Sequence, residues 1–545
     1  MRPSFQVLRF IAAFVLCSAA NLSATGFLHT QGQDIVDEQG HKIMLRGVGL
    51  GNWLLPEGYM WKFGKEADRP RTIEKLIRDL LGPEGAARFW SEYRREYITQ
   101  ADIQKIAAVG FNSVRAVLNA RLLLTEGVNP TYRPEGFELL ENLVGWCKEA
   151  GVYVIIDMHA APGGQTGANI DDSADDQPRL FMDSKNQDLL VNLWVKIATQ
   201  YKDEPAVAAY DLLNEPLPER TGAAAKFKQD LEPLYRRITA AIRKVDKRHT
   251  ITIEGADWAN EWSVFTGPFD DNLVYQFHYY CWDRPARLKG INQYLDYRKR
   301  FGTPIWAGET GERDDAIYWA TTDYFEANNV GWSFWPWKKL DARNAPYSIK
   351  APENWETVTA SSRPGAATPS KETSQKAFDG LLKNIRLENC VYYPDVVNAL
   401  FRRVPGKIEA ENYGHEGPGK SYFVKDPSQK ARNYRASEPV PVEEIDGGGR
   451  RRQSGQGIRL GPDEWAGYMA NSQQGRAFQV TVRVRAERLP ASFDLLVNGK
   501  AQKVNVEGND WVELKLEPVD LLDGANRLKL QVTRGVVCFD WLGLE

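Results

Sequence analysis

Two acidic residues end apolar runs in this chain: Glu215 in Tyr210-Asp-Leu-Leu-Asn-Glu-Pro216 and Glu309 in Pro304-Ile-Trp-Ala-Gly-Glu-Thr310. A short apolar run of this kind reads as a strand buried on both faces, and parallel barrels carry reactive side chains at the C-terminal tips of such strands. Two carboxyl groups on separate tips are the minimum equipment for cleaving a glycosidic bond with retention. One, protonated, donates to the leaving oxygen; the other, ionised, attacks the anomeric carbon across a carboxyl separation of about 5–5.5 Å. Which Glu takes which role depends on surroundings, because burial or a like charge raises a carboxyl pKa and a cationic, donor-rich shell lowers it. Arg115, in Ser113-Val-Arg115, supplies such a shell if it lies beneath Glu309.

The elements that must position these groups follow from the apolar pattern. Eight runs alternate with helix-compatible segments: 43–50, 111–116, 152–159, 207–215, 250–254, 273–278, 304–309 and 330–335. Helical spacing of apolar residues is clearest in 137–148 and 189–198. Strand and helix repeated eight times predicts a (β/α)8 TIM barrel. Its mouth would gather Asn52, Trp53, Arg115, Asp157, His159, Asn214, Glu215, His278, Tyr280, Glu309 and Trp335. Residues 26–45 read as a hairpin closing the bottom of the barrel. The insertion from Trp61 to Tyr97 and the loop Asp171–Asp176 are expected to shape the cleft. A Ser/Thr/Pro-rich stretch between Val358 and Gln375 reads as an exposed excursion, and the barrel domain is taken to span 25–404.

From 405 to 545 the apolar period becomes two. Phe478–Arg485 alternates strictly, Asn498-Gly499 is a hairpin turn, and 511–516 and 527–532 follow as short strands. This predicts an all-β antiparallel sandwich of jelly-roll type. At the other end, Met1-Arg2 and Arg9 precede an apolar stretch of about a dozen residues and the small residues Ser18 and Ala20, so 1–24 reads as a signal peptide. The mature protein is therefore expected to be exported, periplasmic or extracellular, without a membrane anchor. Net charge is -3 and no long Lys/Arg block occurs, which argues against a nucleic-acid partner. Cys147, Cys281, Cys390 and Cys538 are widely spaced without a CxxC, so no zinc motif is visible and buried free thiols are expected.

In their order along residues 27–404, these motifs resemble glycoside hydrolase family 5, whose catalytic Glu residues stand on strands four and seven. The resemblance implies Glu215 as acid/base, Asn214 as partner of the sugar 2-hydroxyl, and Glu309, in Ala307-Gly-Glu-Thr-Gly311, as nucleophile, with no cofactor for catalysis. Arg115, His159, His278, Tyr280 and Trp335 match substrate-site and support positions, Trp335 as a floor under the sugar before the scissile bond. Gly49-Leu-Gly-Asn-Trp-Leu-Leu-Pro-Glu57 and His159-Ala-Ala-Pro-Gly-Gly-Gln-Thr-Gly167 are similar to the exo-β-1,3-glucanase branch and bring in Trp53 and Glu57. A β-linked glucan or oligosaccharide is the implied substrate. Endo-acting, cellulase-like cleavage and another β-linked sugar stay open.

The C-terminal part resembles carbohydrate-binding modules of families 6 and 35 through Ile408-Glu-Ala-Glu-Asn-Tyr413, Glu464-Trp-Ala-Gly-Tyr468 and Phe539-Asp-Trp-Leu-Gly-Leu-Glu545. That resemblance implies a structural Ca2+ held by Glu409, Glu411 and Asp540, since this hard cation takes oxygen ligands. Trp511 is the candidate for stacking a sugar, with core packing as the alternative. Gly447-Gly-Gly-Arg-Arg-Arg-Gln453 is either a basic binding loop or a mobile one. A non-catalytic sugar-binding barrel is the competing class, opposed by the intact set Arg115, Asn214, Glu215 and Glu309. A metal-dependent hydrolase lacks a HExxH motif.

Overall fold

The computed structural model describes residues 26–282, 285–429, 435, 437–445 and 456–545; the expected leader and the Gly447–Gln453 segment lie outside the described residues. The eight apolar runs form the strands of one closed parallel barrel. They are β1 (Arg46–Gly49), β2 (Ser113–Asn119), β3 (Tyr153–Ala160), β4 (Val207–Asp211), β5 (Thr250–Glu254), β6 (Leu273–His278), β7 (Ile305–Gly311) and β8 (Gly331–Trp335), with β8 paired to β1. Every residue of β2 to β7 is buried, which is why these strands read as unbroken apolar runs. A polar side chain inside such a strand must therefore find its partner inside the barrel.

The two segments with helical spacing are helices over Pro134–Ala150 and Ser184–Tyr201. The first has proline at its opening position and ends on left-handed Gly151; the second is capped by the Asp183 carboxylate, which accepts from the Lys185 N–H. Below the barrel, strands His29–Gln31 and Asp34–Val36 pair as a hairpin, while Leu28, Ile43 and Leu45 pack against Tyr153, Ile155, Val274 and Trp306 near the strand starts. The insertion departs from expectation. Its helix, Pro70–Glu96, breaks at Gly82 (φ 76°) before Pro83 and packs Phe89, Trp90 and Tyr93 against Trp61, with Phe89 also meeting Phe378. None of its residues lines the cleft, because this apolar face is satisfied on the barrel's flank.

Beyond Val404 a second core begins, in a β-rich domain of antiparallel sheets. Its principal strands are β9 (Gly406–Glu409), β10 (Trp465–Ser472), β11 (Val480–Val497), β12 (Lys500–Val506) and β13 (Gly524–Leu544). β11 and β12 turn at Asn498 (φ 50°) and Gly499 (φ 87°), the two left-handed positions that a two-residue hairpin requires. The run expected at 478–485 does not end there but continues to the Asn498-Gly499 turn: β11 stays paired with β13 across register shifts, bending instead of ending. Trp319, on the helix Asp315–Ala327 of the barrel domain, joins the second core. No described helix is long and apolar enough to cross a membrane. The four described cysteines carry free thiols.

Candidate active site

Arg115 stands at the centre of the barrel, fully buried on β2, and its register opposite Gly49 and Ile155 aims it upward through the interior. Its guanidinium meets four carboxylates. Nε donates to Asp211 Oδ2 at 2.9 Å, Nη1 to Glu309 Oε1 at 2.6 Å and Nη2 to Glu254 Oε1 at 3.0 Å, with Asp157 Oδ1 at 3.1 Å from Nη2. Nη2 also donates to Asn214 Oδ1 at 2.8 Å. Burial alone would discharge this arginine, but Asp157, Asp211, Glu309 and Glu254 hold it well above its ordinary pKa. The same burial and crowding raise Asp157 well above the usual carboxylate range and push Asp211 up to about 6.

Glu309, on β7, is 5 % exposed. One carboxylate oxygen takes the Arg115 bond and the other accepts from Tyr280 Oη at 2.7 Å, so both oxygens are fixed by donors. Glu215 reaches the mouth differently. The strand expected to run to residue 215 ends at Asp211; Leu212 and Asn214 still bond to neighbouring strands, and the chain then turns with Glu215 at φ 42°. That left-handed backbone costs about 1–2 kcal/mol for a residue with a Cβ. It is held because the Glu215 N–H donates to Glu254 Oε2 at 2.7 Å. One oxygen of Glu215, one of Glu309 and a ring nitrogen of His278 lie within 4.8 Å of one another.

Two histidines divide the electrostatic work. For His278, burial favours the neutral ring, yet Glu254, Glu309 and the bond to Glu215 raise its pKa well above the ordinary value. Its Nδ1 lies 2.8 Å from Glu215 Oε1 and 3.6 Å from Glu309 Oε2. Burial likewise raises Glu215, but the His278 bond and charge bring it below its ordinary pKa, so the pair is a Glu215 carboxylate facing a protonated His278. The Nδ1–H aimed at Glu215 offers a proton, not a lone pair, although the Glu215–His278–Glu309 donor set has the spacing of a metal site. His159 is the opposite case: burial and Arg115 lower it to about 4. As a neutral ring it donates through Nδ1 to Asp157 Oδ2 at 2.7 Å and accepts from Asn214 Nδ2 at Nε2, 3.3 Å away.

Trp335 stacks on His159 with centroids 5.6 Å apart and planes 3° from parallel. It also lies directly on the backbone after β1: a Cβ at Gly49 or Gly51 would come within 2.5 or 2.6 Å of its ring, so both glycines are required by that close approach. Its indole N–H donates to Tyr59 Oη at 3.1 Å. In the loop after β1, Asn52 (φ 65°) accepts from the Glu57 N–H and from Trp61 Nε1, which sets Glu57 into the cleft. Burial, reinforced by Glu309, Glu312 and Glu215, raises Glu57 well above the carboxylate range, making it a neutral donor.

The cleft encloses about 670 Å³. Glu57, His159, Glu215, His278, Tyr280, Glu309 and Trp335 line it, while Arg115 and Asn214 stand directly behind. Trp53 does not belong to it: the ring is 1 % exposed and its N–H is satisfied by the Arg94 carbonyl, a core position and not a sugar contact. Sequence reasoning overlooked Glu254, whose signal was an acid ending the run Thr250-Ile-Thr-Ile-Glu254, and Tyr59, Arg220, Trp258 and Glu312, which come from loops without a pattern.

In the β-rich domain, Glu409 lies opposite Trp541 in the β9–β13 pair and the Ala410 N–H bonds the Asp540 carbonyl, so strand pairing gathers Glu409, Glu411 and Asp540. Burial, then Glu409 and Asp540, raise Glu411 well above its ordinary pKa. Lys407 pairs with Glu409 at 2.9 Å and Arg483 with Asp540. Three hard oxygen donors fit Ca2+ in kind, with these two cations as partial competitors. Trp511 is half-buried beside Arg483 and Arg485, whose guanidinium carbons lie 5.2 and 5.4 Å from its ring.

Residues 80–341 match the family described as Cellulase (glycosyl hydrolase family 5). The chain is 28 % identical over 364 residues to a protein named Beta-xylosidase from Phanerodontia chrysosporium, covering 59 % of this chain and 74 % of that one. It is 28 % identical over 267 residues to a Probable glucan 1,3-beta-glucosidase A of Aspergillus fumigatus, covering 48 % of this chain and 62 % of that protein. A crystal structure of endogalactoceramidase superposes over 94 % of this chain and 99 % of its own at 18 % identity and a TM-score of 0.47. Over residues 80–341 the barrel is thus similar to glycosyl hydrolase family 5, and with its glycosidase-named relatives this supports a glycoside hydrolase.

Proposed function

We propose that this protein is an exo-acting retaining β-glycosidase that removes the terminal sugar from a β-glucan or related oligosaccharide. The observation that carries the reading is the approach of Glu215 and Glu309 oxygens to within 4.8 Å, the short separation that a double displacement needs. Glu309, its charge held by Arg115 and Tyr280, attacks the anomeric carbon as the bond to the leaving oxygen breaks. Glu215 passes the proton held at His278 Nδ1 to that oxygen, then takes a proton from the water that releases the sugar from Glu309. Neutral Glu57 at the cleft wall and the names of the two relatives, a β-xylosidase and a glucan 1,3-β-glucosidase, support terminal action.

The test is product analysis on β-1,3-, β-1,4- and β-1,6-linked oligoglucosides and on aryl β-glucoside and β-xyloside. Single sugars released first as the β-anomer are expected, and Glu309→Ala should be inactive and rescued by azide with an α-glycosyl azide as product. Products of mixed length would refute exo action, and first release of the α-anomer would refute retention. We further propose export through residues 1–24, Ca2+ at Glu409, Glu411 and Asp540, and sugar binding at Trp511. The three are read out by the N-terminus of the secreted protein, by a fall in melting temperature with EDTA that Ca2+ reverses, and by loss of glycan retention in Trp511→Ala.

A further inference from the structure

The wall of the cleft beyond Glu215 is built by two loops locked together. Residues 257, 258 and 259 are all left-handed (φ 48°, 60° and 71°), a strained run for three side chains with a Cβ. Such strain persists only where surroundings impose it. Here the Asp257 N–H bonds the Leu217 carbonyl, the Glu219 N–H bonds Asp257 Oδ1, and Gly255 and Ala256 bridge to Ala259 and Glu261. The result presents Trp258 to the cleft at the loop that follows Glu215, and Arg220 lies over its ring with the guanidinium carbon 4.7 Å from the centroid.

Arg220 is unusual in charge. The glycone end of the same cleft holds Glu57, Glu215, Glu309 and Glu312, yet no carboxylate among the described residues lies within ion-pairing distance of Arg220. Its polar partner among the described residues is neutral: Nη2 donates to Asn169 Oδ1 at 3.2 Å. The cleft lining also includes amide, phenol and indole groups, from Asn260, Gln293, Tyr279, Tyr294 and Trp258. A guanidinium held over an indole and tied at one corner keeps its remaining N–H edge free of competition among the described residues, in the planar geometry that matches a carboxylate.

We propose that the Arg220–Trp258 pair is a leaving-group subsite for an acidic sugar: the scissile bond joins a neutral terminal sugar to a ring that carries a carboxylate, as a uronic acid does. This rests on the retaining glycosidase reading, with Glu215 placed between the two rings. The carboxylates of the glycone end already hold the cations beside them, whereas Arg220 attracts a uronate, so the orientation of the substrate is fixed as well as its identity.

The experiment compares kcat/KM at low ionic strength for two disaccharides with the same terminal sugar and β-linkage, one leaving glucose and one leaving glucuronic acid. Wild type is expected to favour the uronate by about tenfold, the lower end for a charge-assisted bond at an exposed site. The ratio should fall to one or below in Arg220→Ala and be partly kept in Arg220→Lys, which retains charge but not the fork. Trp258→Ala should lower the ratio by releasing Arg220. Circular dichroism and the rate on a glycosyl fluoride, which has no leaving sugar, report whether each variant is folded and competent. A wild-type ratio of one, or a ratio unchanged in Arg220→Ala, overturns the acidic subsite and leaves the glycosidase reading intact; failure of wild type on all three substrates overturns both.

Discussion

Glu254→Gln is the substitution that most directly tests how this site is held. Glu254 is fully buried and its two oxygens accept from the Glu215 N–H (2.7 Å), Arg115 Nη2 (3.0 Å) and Gln276 Nε2 (2.5 Å), with His278 Nε2 at 3.3 Å. Every neighbour is a donor, so the amide NH2 of glutamine must face one of them. The cheaper orientation keeps the oxygen on Arg115 and Gln276 and gives up the single bond to Glu215. A lost charge-assisted bond in a dry site costs about 1.5–3 kcal/mol, more than the roughly 1–2 kcal/mol of the left-handed backbone that it sustains. Without it Glu215 relaxes out of position. We expect about 2 kcal/mol lower stability in urea and, because a misplacement near 1 Å costs on the order of a hundredfold, a comparable fall in kcat/KM on an aryl β-glycoside. The pH profile adds an independent readout. Glu254 is the first of the groups raising the pKa of His278 against burial, so removing its charge lowers that pKa and moves the alkaline limb of the rate profile to lower pH. A folded variant with activity within threefold of wild type and an unmoved alkaline limb would refute the positioning role.

Three further outcomes follow from the same reasoning. Glu326 would be raised by burial, but Arg46 and Arg402 bring it down to about 2; its stabilisation, about 3 kcal/mol, is present above 4.5 and lost as pH falls toward 2, so Glu326→Gln should flatten stability over that window in urea titrations. Lys338 and Asp102 form a fully buried pair at 2.6 Å, and Lys338→Met, by orphaning Asp102, should cost about 3–5 kcal/mol by chemical denaturation. Gly51→Ala would put a Cβ 2.6 Å from the Trp335 ring, displacing it and lowering kcat/KM on the order of tenfold while the fold survives; unchanged kinetics would show that Trp335 is not a sugar floor.

The barrel and its two mouth carboxylates were legible in the sequence because they rest on local physics. Strands buried on both faces are predominantly apolar, so the eight runs announce themselves and the acids that end or follow them stand out, as at Glu309 and Glu215. The Asn498-Gly499 hairpin is equally local, since the turn itself demands left-handed residues. What tertiary structure alone decided is which groups meet. Trp53 and Glu57 lie four residues apart, yet one is sealed by the Arg94 carbonyl and the other faces the cleft. Arg115 takes its charge partners from strands separated by up to 194 residues, and Glu254 becomes the anchor of Glu215 only when β5 lies beside β4. Which of two histidines carries a proton is likewise absent from a linear pattern, because burial and Arg115 lower His159 while Glu254, Glu309 and Glu215 raise His278, and those groups come from other strands and loops. A sequence specifies where a strand ends, but pKa and positioning depend on distances through the folded interior, and those exist only once the barrel has closed.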